Sequence, residues 1–132
     1  HQIVFDVTTD IALYGERREL HSAFSNLISN AIRYTPEGGQ ITVSWSISQS
    51  KHGIFAVKDT GPGIDAVHLP RLTERFYRVD GSRSRDTGGT GLGLAIVKHI
   101  ATRHNAQLLI TSVVGEGSTF KLRFAPERLD LM

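Results

Sequence analysis

The change of apolar period at Thr35-Pro36-Glu37-Gly38-Gly39 constrains the fold more than any other feature. Before it, Leu20, Ala23, Phe24, Leu27, Ile28, Ala31 and Ile32 recur at spacings of three and four. That spacing predicts a helix from Glu16 to Tyr34. The Pro-Glu-Gly-Gly run stops it. Two strands follow, about Gln40 to Ser48 and Gly53 to Lys58, around a polar turn at Gln49-Ser50-Lys51-His52. Val43, Trp45 and Ile47 alternate with polar residues, as in an antiparallel sheet with one wet face. Gln2 to Val7 also reads as a strand, and Ala12-Leu13-Tyr14 as a short extended piece ended by Gly15. A short helix is expected near Ala66 to Leu72. A second long one should run from about Gly91 to His104. Leu92, Leu94, Ala95, Ile96, Val97, Ile100 and Ala101 give it a wide apolar arc, so it should be well buried. The chain closes on a hairpin, Gln107 to Val113 and Ser118 to Phe124, around Gly115-Glu116-Gly117. Helices among hairpin-linked strands imply an α/β fold with helices on one face of a mixed, mostly antiparallel sheet.

At 132 residues the chain suits a single domain with a real core. A net charge of +2 does not argue for nucleic acid or an anionic membrane. The absence of cysteine excludes disulfides and thiolate metal sites. No apolar run approaches the roughly 20 residues needed to span a bilayer. The abrupt start in a strand-like segment suggests a piece of a longer protein.

Chemistry concentrates in a few places. Phe55, Val57 and Asp59 share the core face of their strand, so the Asp59 carboxylate should be buried and in need of donors. An ionised carboxylate only accepts hydrogen bonds. Adenine offers an amino group there and guanine an oxygen, so the pattern favours ATP over GTP. An aspartate that merely caps the turn before Gly61 satisfies the same pattern. Gly61 and Gly63, with Pro62 between them, allow a sharp turn close to a flat ring, or an ordinary loop.

Gly89-x-Gly91-x-Gly93 opens a helix, where free amides and the dipole favour phosphate. A flexible linker before a helix gives the same run. The preceding Arg83-Ser84-Arg85-Asp86-Thr87 is not a strand, which removes a Rossmann loop, and no Gly-Lys-Ser/Thr follows for a P-loop. Asn26, Asn30 and Tyr34 form one row at i, i+4 and i+8. Two amide oxygens one turn apart suit Mg²⁺ and its waters. Taken alone, the row is better read as solvated or capping asparagines. The six histidines form no ligand cluster and read as structural or surface residues. Trp45 reads as sheet packing.

In this order the motifs resemble the catalytic ATP-binding domain of sensor histidine kinases, over nearly the whole chain. Asn26-Leu27-Ile28-Ser29-Asn30-Ala31-Ile32-Arg33-Tyr34-Thr35 resembles the N box, and Asp59-Thr60-Gly61-Pro62-Gly63-Ile64 the G1 box. Glu74-Arg75-Phe76-Tyr77-Arg78 resembles the F box, and Gly89 to Val97 the G2 box. Four boxes in order are far more specific than any one. Leu69 to Asp80 and the Pro126-Glu127-Arg128-Leu129 ending resemble the phosphate-regulon sensor kinases most.

The resemblance implies a two-layer α/β sandwich of the Bergerat type over residues 1–132. It implies that Asp59 takes the adenine amino group, that Asn30 helped by Asn26 binds Mg²⁺, and that Arg33 approaches the terminal phosphates. Tyr34 would cover the base or ribose. Residues 75–89 would form an ATP lid, and Ser82 to Gly89, without an apolar residue, should be mobile without nucleotide. Gly61, Gly63, Ile64, Arg75, Phe76, Arg78, Gly89, Thr90, Gly91, Leu92 and Gly93 complete the expected nucleotide contacts.

In ATPases of this superfamily a glutamate acts as general base where Asn26 stands. An amide cannot accept that proton, which favours transfer to an imidazole over hydrolysis. No phosphoacceptor histidine segment occurs in the chain. A helical dimerisation and phosphoacceptor domain, and a transmembrane sensor, are therefore expected before His1, making this the cytoplasmic domain of an inner-membrane receptor. Its partners would be ATP, that helical domain and a response regulator, with no direct nucleic acid. An ATPase of the same fold and a nucleotide-sensing docking module are the competing functions.

Overall fold

The computed structural model describes residues 1–77 and 93–131. The expected mobility of Ser82 to Gly89, and the expected contacts at Arg78, Gly89, Thr90, Gly91 and Leu92, lie outside them. Five strands, β1 (Gln2–Val7), β2 (Gln40–Ile47), β3 (Gly53–Asp59), β4 (Ala106–Val113) and β5 (Gly117–Phe124), form one sheet in the order β1-β2-β3-β5-β4. β1 lies parallel to β2, and the other neighbours pair antiparallel. The helices α1 (Arg17–Tyr34) and α2 (Gly93–Arg103) pack on one face of it. This is the expected two-layer α/β sandwich.

The first helix follows its apolar row. Leu20, Ala23, Leu27 and Ala31 are buried against the sheet. Phe24 stacks on Phe55 at 4.0 Å between centroids and meets Phe124 edge-on at 6.3 Å. Glu16 caps the helix, its carboxylate accepting from the Glu19 amide at 2.7 Å. The buried His104 ring supplies a second cap from 88 residues away. Its Nε2 accepts from the Glu16 amide at 3.0 Å, while Nδ1 pairs with the Ile100 carbonyl at 2.8 Å. Those two bonds fix the neutral, Nδ1-protonated ring. His104 is thus structural, as its sequence context implies, but it lies one residue past α2. Trp45 packs edge-on to Phe124 and donates Nε1–H to the Ile11 carbonyl at 3.1 Å.

One expectation is corrected and two are refined. The segment near Ala66 to Leu72 is a 3-10 helix over Ala66–Arg71, capped by Asp65. Pro70 within it has no N–H to extend an α ladder. The second long helix is less buried than its apolar arc implied: Val97, Ile100 and Ala101 are buried, but Ile96 is exposed. Among the described residues α2 packs mainly on α1 and β4, so the arc is wider than the surface it covers. β3 also runs one residue beyond the expected Lys58, to Asp59.

Candidate functional site

The last residue of β3 anchors the site. Period-two alternation carries Asp59 to the core face beside Val57, and its side chain is 5% exposed. One carboxylate oxygen, Oδ1, accepts from the Gly61 amide at 2.9 Å and the Ser118 amide at 3.2 Å. The other oxygen has no protein partner among the described residues. The carboxylate is thereby oriented by the main chain, and it presents an acceptor to whatever lies beside it.

The turn after Asp59 is clamped on two sides. An added Cβ on Gly61 would lie 2.8 Å from the Tyr34 carbonyl oxygen, so the turn presses against the C-terminal end of α1. Gly63 takes φ +77°, and a Cβ there would stand 2.3 Å from the Val113 carbonyl oxygen. Only glycine fits this position. The Gly115 amide donates to the Pro62 carbonyl at 2.8 Å, and the Ile64 amide to Ser112 Oγ at 2.7 Å. Ser112 Oγ in turn lies 2.8 Å from Ser118 Oγ. The β4–β5 turn therefore holds the loop in place, and half-buried Ile64 packs against the core.

Across from this loop run the α1 residues. Asn26 and Asn30 are half-buried on one row. Asn26 Nδ2 donates to the Ser22 carbonyl at 2.8 Å. Its Oδ1 lies 2.9 Å from the point a Cβ on Gly93 would occupy. The amide oxygen is thus aimed at the start of α2, which any larger residue at position 93 would block. Arg33 is half-buried, and its Nε is buried without a partner among the described residues. Tyr34 is half-buried, and its main-chain carbonyl meets the Gly61 turn.

Of the remaining expected residues, Arg75 and Phe76 are exposed, and Phe76 takes a left-handed φ of 65°. Tyr77 is held differently from its neighbours: its hydroxyl pairs with His68 Nδ1, and the Arg71 guanidinium sits 4.5 Å from its ring centroid. Arg71 also pairs with Glu74 at 3.2 Å, which raises its pKa. The structure thus brings Asn26, Asn30, Arg33, Tyr34, Asp59, Gly61, Gly63, Ile64 and Gly93 around the α1–β3–α2 junction. Arg75 and Phe76 stand outside that group. Ser112, Ser118 and Gly117 join the site without any sequence motif to mark them. A Cβ on Gly117, at φ +135°, would lie 2.0 Å from the Asp59 carbonyl oxygen.

These residues match a family model described as histidine kinase-, DNA gyrase B-, and HSP90-like ATPase, over residues 15–128. The chain belongs to that family. A mycobacterial sensor histidine kinase, MprB, has a solved structure with TM-score 0.80 at 31% identity. The match covers 92% of this chain and 82% of that one. The domain is therefore of the sensor histidine kinase type, as the four boxes implied. The structure of full-length ShkA in complex with AMPPNP superposes with TM-score 0.80 at 27% identity, over 95% of this chain and 25% of that one. In sequence, the phosphate regulon sensor protein PhoR of Pseudomonas aeruginosa is 55% identical over 98% of this chain. The chain spans 29% of that relative's length.

The residues present fit a magnesium nucleotide. Asp59 offers an acceptor fixed by two amides, beside a Gly61–Gly63 turn packed closely on the Tyr34 and Val113 carbonyls. Arg33 holds a buried donor with no partner among the described residues. Those residues contain no cluster of three or more His, Asp or Glu side chains for a metal.

Proposed function

We propose that this domain binds Mg²⁺-ATP and directs the γ-phosphate to a histidine on a helical dimerisation domain of the same receptor, in phosphate-starvation signalling. The observation that carries the reading is the Asp59 carboxylate held by the Gly61 and Ser118 amides. An acceptor in that setting selects the adenine amino group and disfavours the guanine oxygen. When bound, Mg²⁺-ATP supplies the transferable phosphoryl group and much of the charge neutralisation.

The chain's own residues do the rest. Asn30, with Asn26 beside it, holds the metal from α1. Arg33, whose buried Nε has no partner among the described residues, would reach the terminal phosphates. Tyr34 shields the base or ribose. Gly93 leaves the start of α2 open; the nucleotide contacts expected at Arg75, Phe76, Arg78, Gly89, Thr90, Gly91 and Leu92 remain part of the proposal. Catalysis is then mainly positioning of the phosphate before an incoming imidazole. Asn26 offers no base for water. Exposed Phe76, beside anchored Tyr77, offers a contact for the helical domain.

The likeness to PhoR supports phosphate signalling, a response regulator as downstream partner, and a cytoplasmic position beneath a membrane sensor. No described helix is long and apolar enough to cross a membrane. The AMPPNP held by ShkA supports the nucleotide class.

The test is calorimetric titration with Mg²⁺-ATP and Mg²⁺-GTP, then phosphorylation of the separate helical domain. Saturable ATP binding, little GTP binding and labelled histidine are expected. Equal binding of both nucleotides overturns the base assignment. Steady phosphate release without phosphohistidine would favour an ATPase.

A further inference from the structure

The helix layer is too narrow for its sheet. Five strands at about 4.8 Å spacing span about 24 Å, while the two α-helices among the described residues, at 8–10 Å, cover roughly 20 Å. α2 lies over β4, and α1 over β2 and β3; Phe120, Leu122 and Phe124 of β5 are buried, so among the described residues β1 is the strand left bare. The register shows which of its faces is bare. Ile3, Phe5 and Val7 pair with Ile41, Val43 and Trp45, so they point to the helix side of the sheet. Yet Phe5 is 67% exposed and Val7 65%.

The other wall of this trough belongs to α1. Ile28 and Ile32 lie about 200° and 240° around the helix from Asn26. Asn26 faces the start of α2, so these isoleucines lie on the opposite, β1 flank. Ile32 is 38% exposed there. A floor of about 20 Å, with one apolar wall, has the length and width of a helix of about 13 residues.

Charge narrows the occupant. Arg17, Arg18 and His21 stand on the same flank at the N-terminal end of α1. Two arginines in a helix's first turn oppose its dipole. Among the described residues no carboxylate pairs with either, because Glu19 is taken by Arg103 at 2.7 Å. A second copy of this chain would bring like charges together.

We infer that the β1–α1 trough seats an amphipathic helix with acidic residues along its flank, supplied by the helical phosphoacceptor domain of the same receptor. The source of the helix rests on the function proposed above. The contact lies across the sheet from β4 and is separate from Phe76. It would hold the domain against its helical partner while the nucleotide site stays free.

The test uses the absence of native cysteines in this chain. Phe5→Cys is introduced into the 132-residue chain and into the intact receptor, and maleimide labelling at position 5 is followed by mass spectrometry. Val67→Cys, at another exposed site, serves as control. Labelling of position 5 should be at least about tenfold slower in the intact receptor, a protection factor read against unchanged labelling at position 67. Adding Arg17→Glu and Arg18→Glu should restore fast labelling. Equal rates in chain and receptor overturn the proposal, as does protection that survives the charge reversal. Protection that grows with concentration of the isolated chain assigns the trough to a second copy and also overturns it. ATP titration of the Phe5→Cys chain gives an independent readout: lost ATP binding with position 5 still protected would sink the kinase reading and leave the docking intact.

Discussion

Replacing Asp59 by asparagine tests base recognition with almost no change of shape. In the native site Oδ1 accepts from the Gly61 amide at 2.9 Å and from the Ser118 amide at 3.2 Å. An asparagine nitrogen cannot accept from either. The carbonyl oxygen of the new side chain must therefore occupy the Oδ1 place, which forces its NH₂ group to where Oδ2 stood. Two donors, the side-chain amide and the adenine amino group, would then face each other. Losing a hydrogen bond to a charged group and leaving a buried donor unmatched costs about 2–4 kcal/mol, or about 30- to 900-fold in affinity. Guanine presents an oxygen at the same place, so the ratio of GTP to ATP affinity should rise. Both backbone bonds to Oδ1 persist, so unfolding by urea should show a loss of only about 1 kcal/mol. Calorimetry with both nucleotides reads the first two effects. An Asp59→Asn chain that binds ATP within about threefold of wild type, less than one hydrogen bond is worth, would refute the assignment of the base to this carboxylate.

Asn30→Ala should remove most of the Mg²⁺-dependent gain in ATP affinity while leaving metal-free binding nearly unchanged, as titrations with and without EDTA would show. Gly63→Ala forces a left-handed residue against the Val113 carbonyl, so stability to urea should fall by about 2–4 kcal/mol, and an unchanged midpoint would contradict the clamp. Hydrogen bonds from Arg103 hold the Glu19 pKa below its ordinary value, so this exposed α1–α2 link stabilises the fold at neutral pH and fades as pH falls through that lowered pKa. Glu19→Gln should thus unfold slightly more easily than wild type at pH 7 and indistinguishably in strong acid, in parallel pH series of thermal melts.

Local period carried much of the fold. The three-and-four spacing of α1 and the alternation through Phe55, Val57 and Asp59 are readable because each depends on neighbours in the chain. That alternation alone places Asp59 in the core. It does not identify the partners of the carboxylate, because Ser118 reaches it only through the pairing of β3 with β5. Gly117 is legible as a turn residue, but not as the place where a Cβ would strike the Asp59 carbonyl. The His104 cap on Glu16 is likewise a long-range contact without local signature. The bare face of β1 is hidden for a different reason. Its apolar alternation reads like that of a covered strand, and only the exposure of Phe5 and Val7 in the folded chain shows it uncovered.

Asn26 joins the local and the long-range parts of the argument. Its nitrogen is committed to the Ser22 carbonyl one turn back, and this sends its oxygen toward Gly93 at the start of α2. A carboxylate at this position could not donate to Ser22, and would face the carbonyl as a second acceptor. The amide is therefore part of how the α1 row is aimed, rather than a base with one atom exchanged. An aimed amide oxygen can hold a metal or its water, but it cannot take a proton from an attacking water at neutral pH. An imidazole needs no such base before attack. The geometry around Asn26 thus fits the proposed transfer better than hydrolysis, given the general-base place that the likeness to this superfamily assigns to position 26.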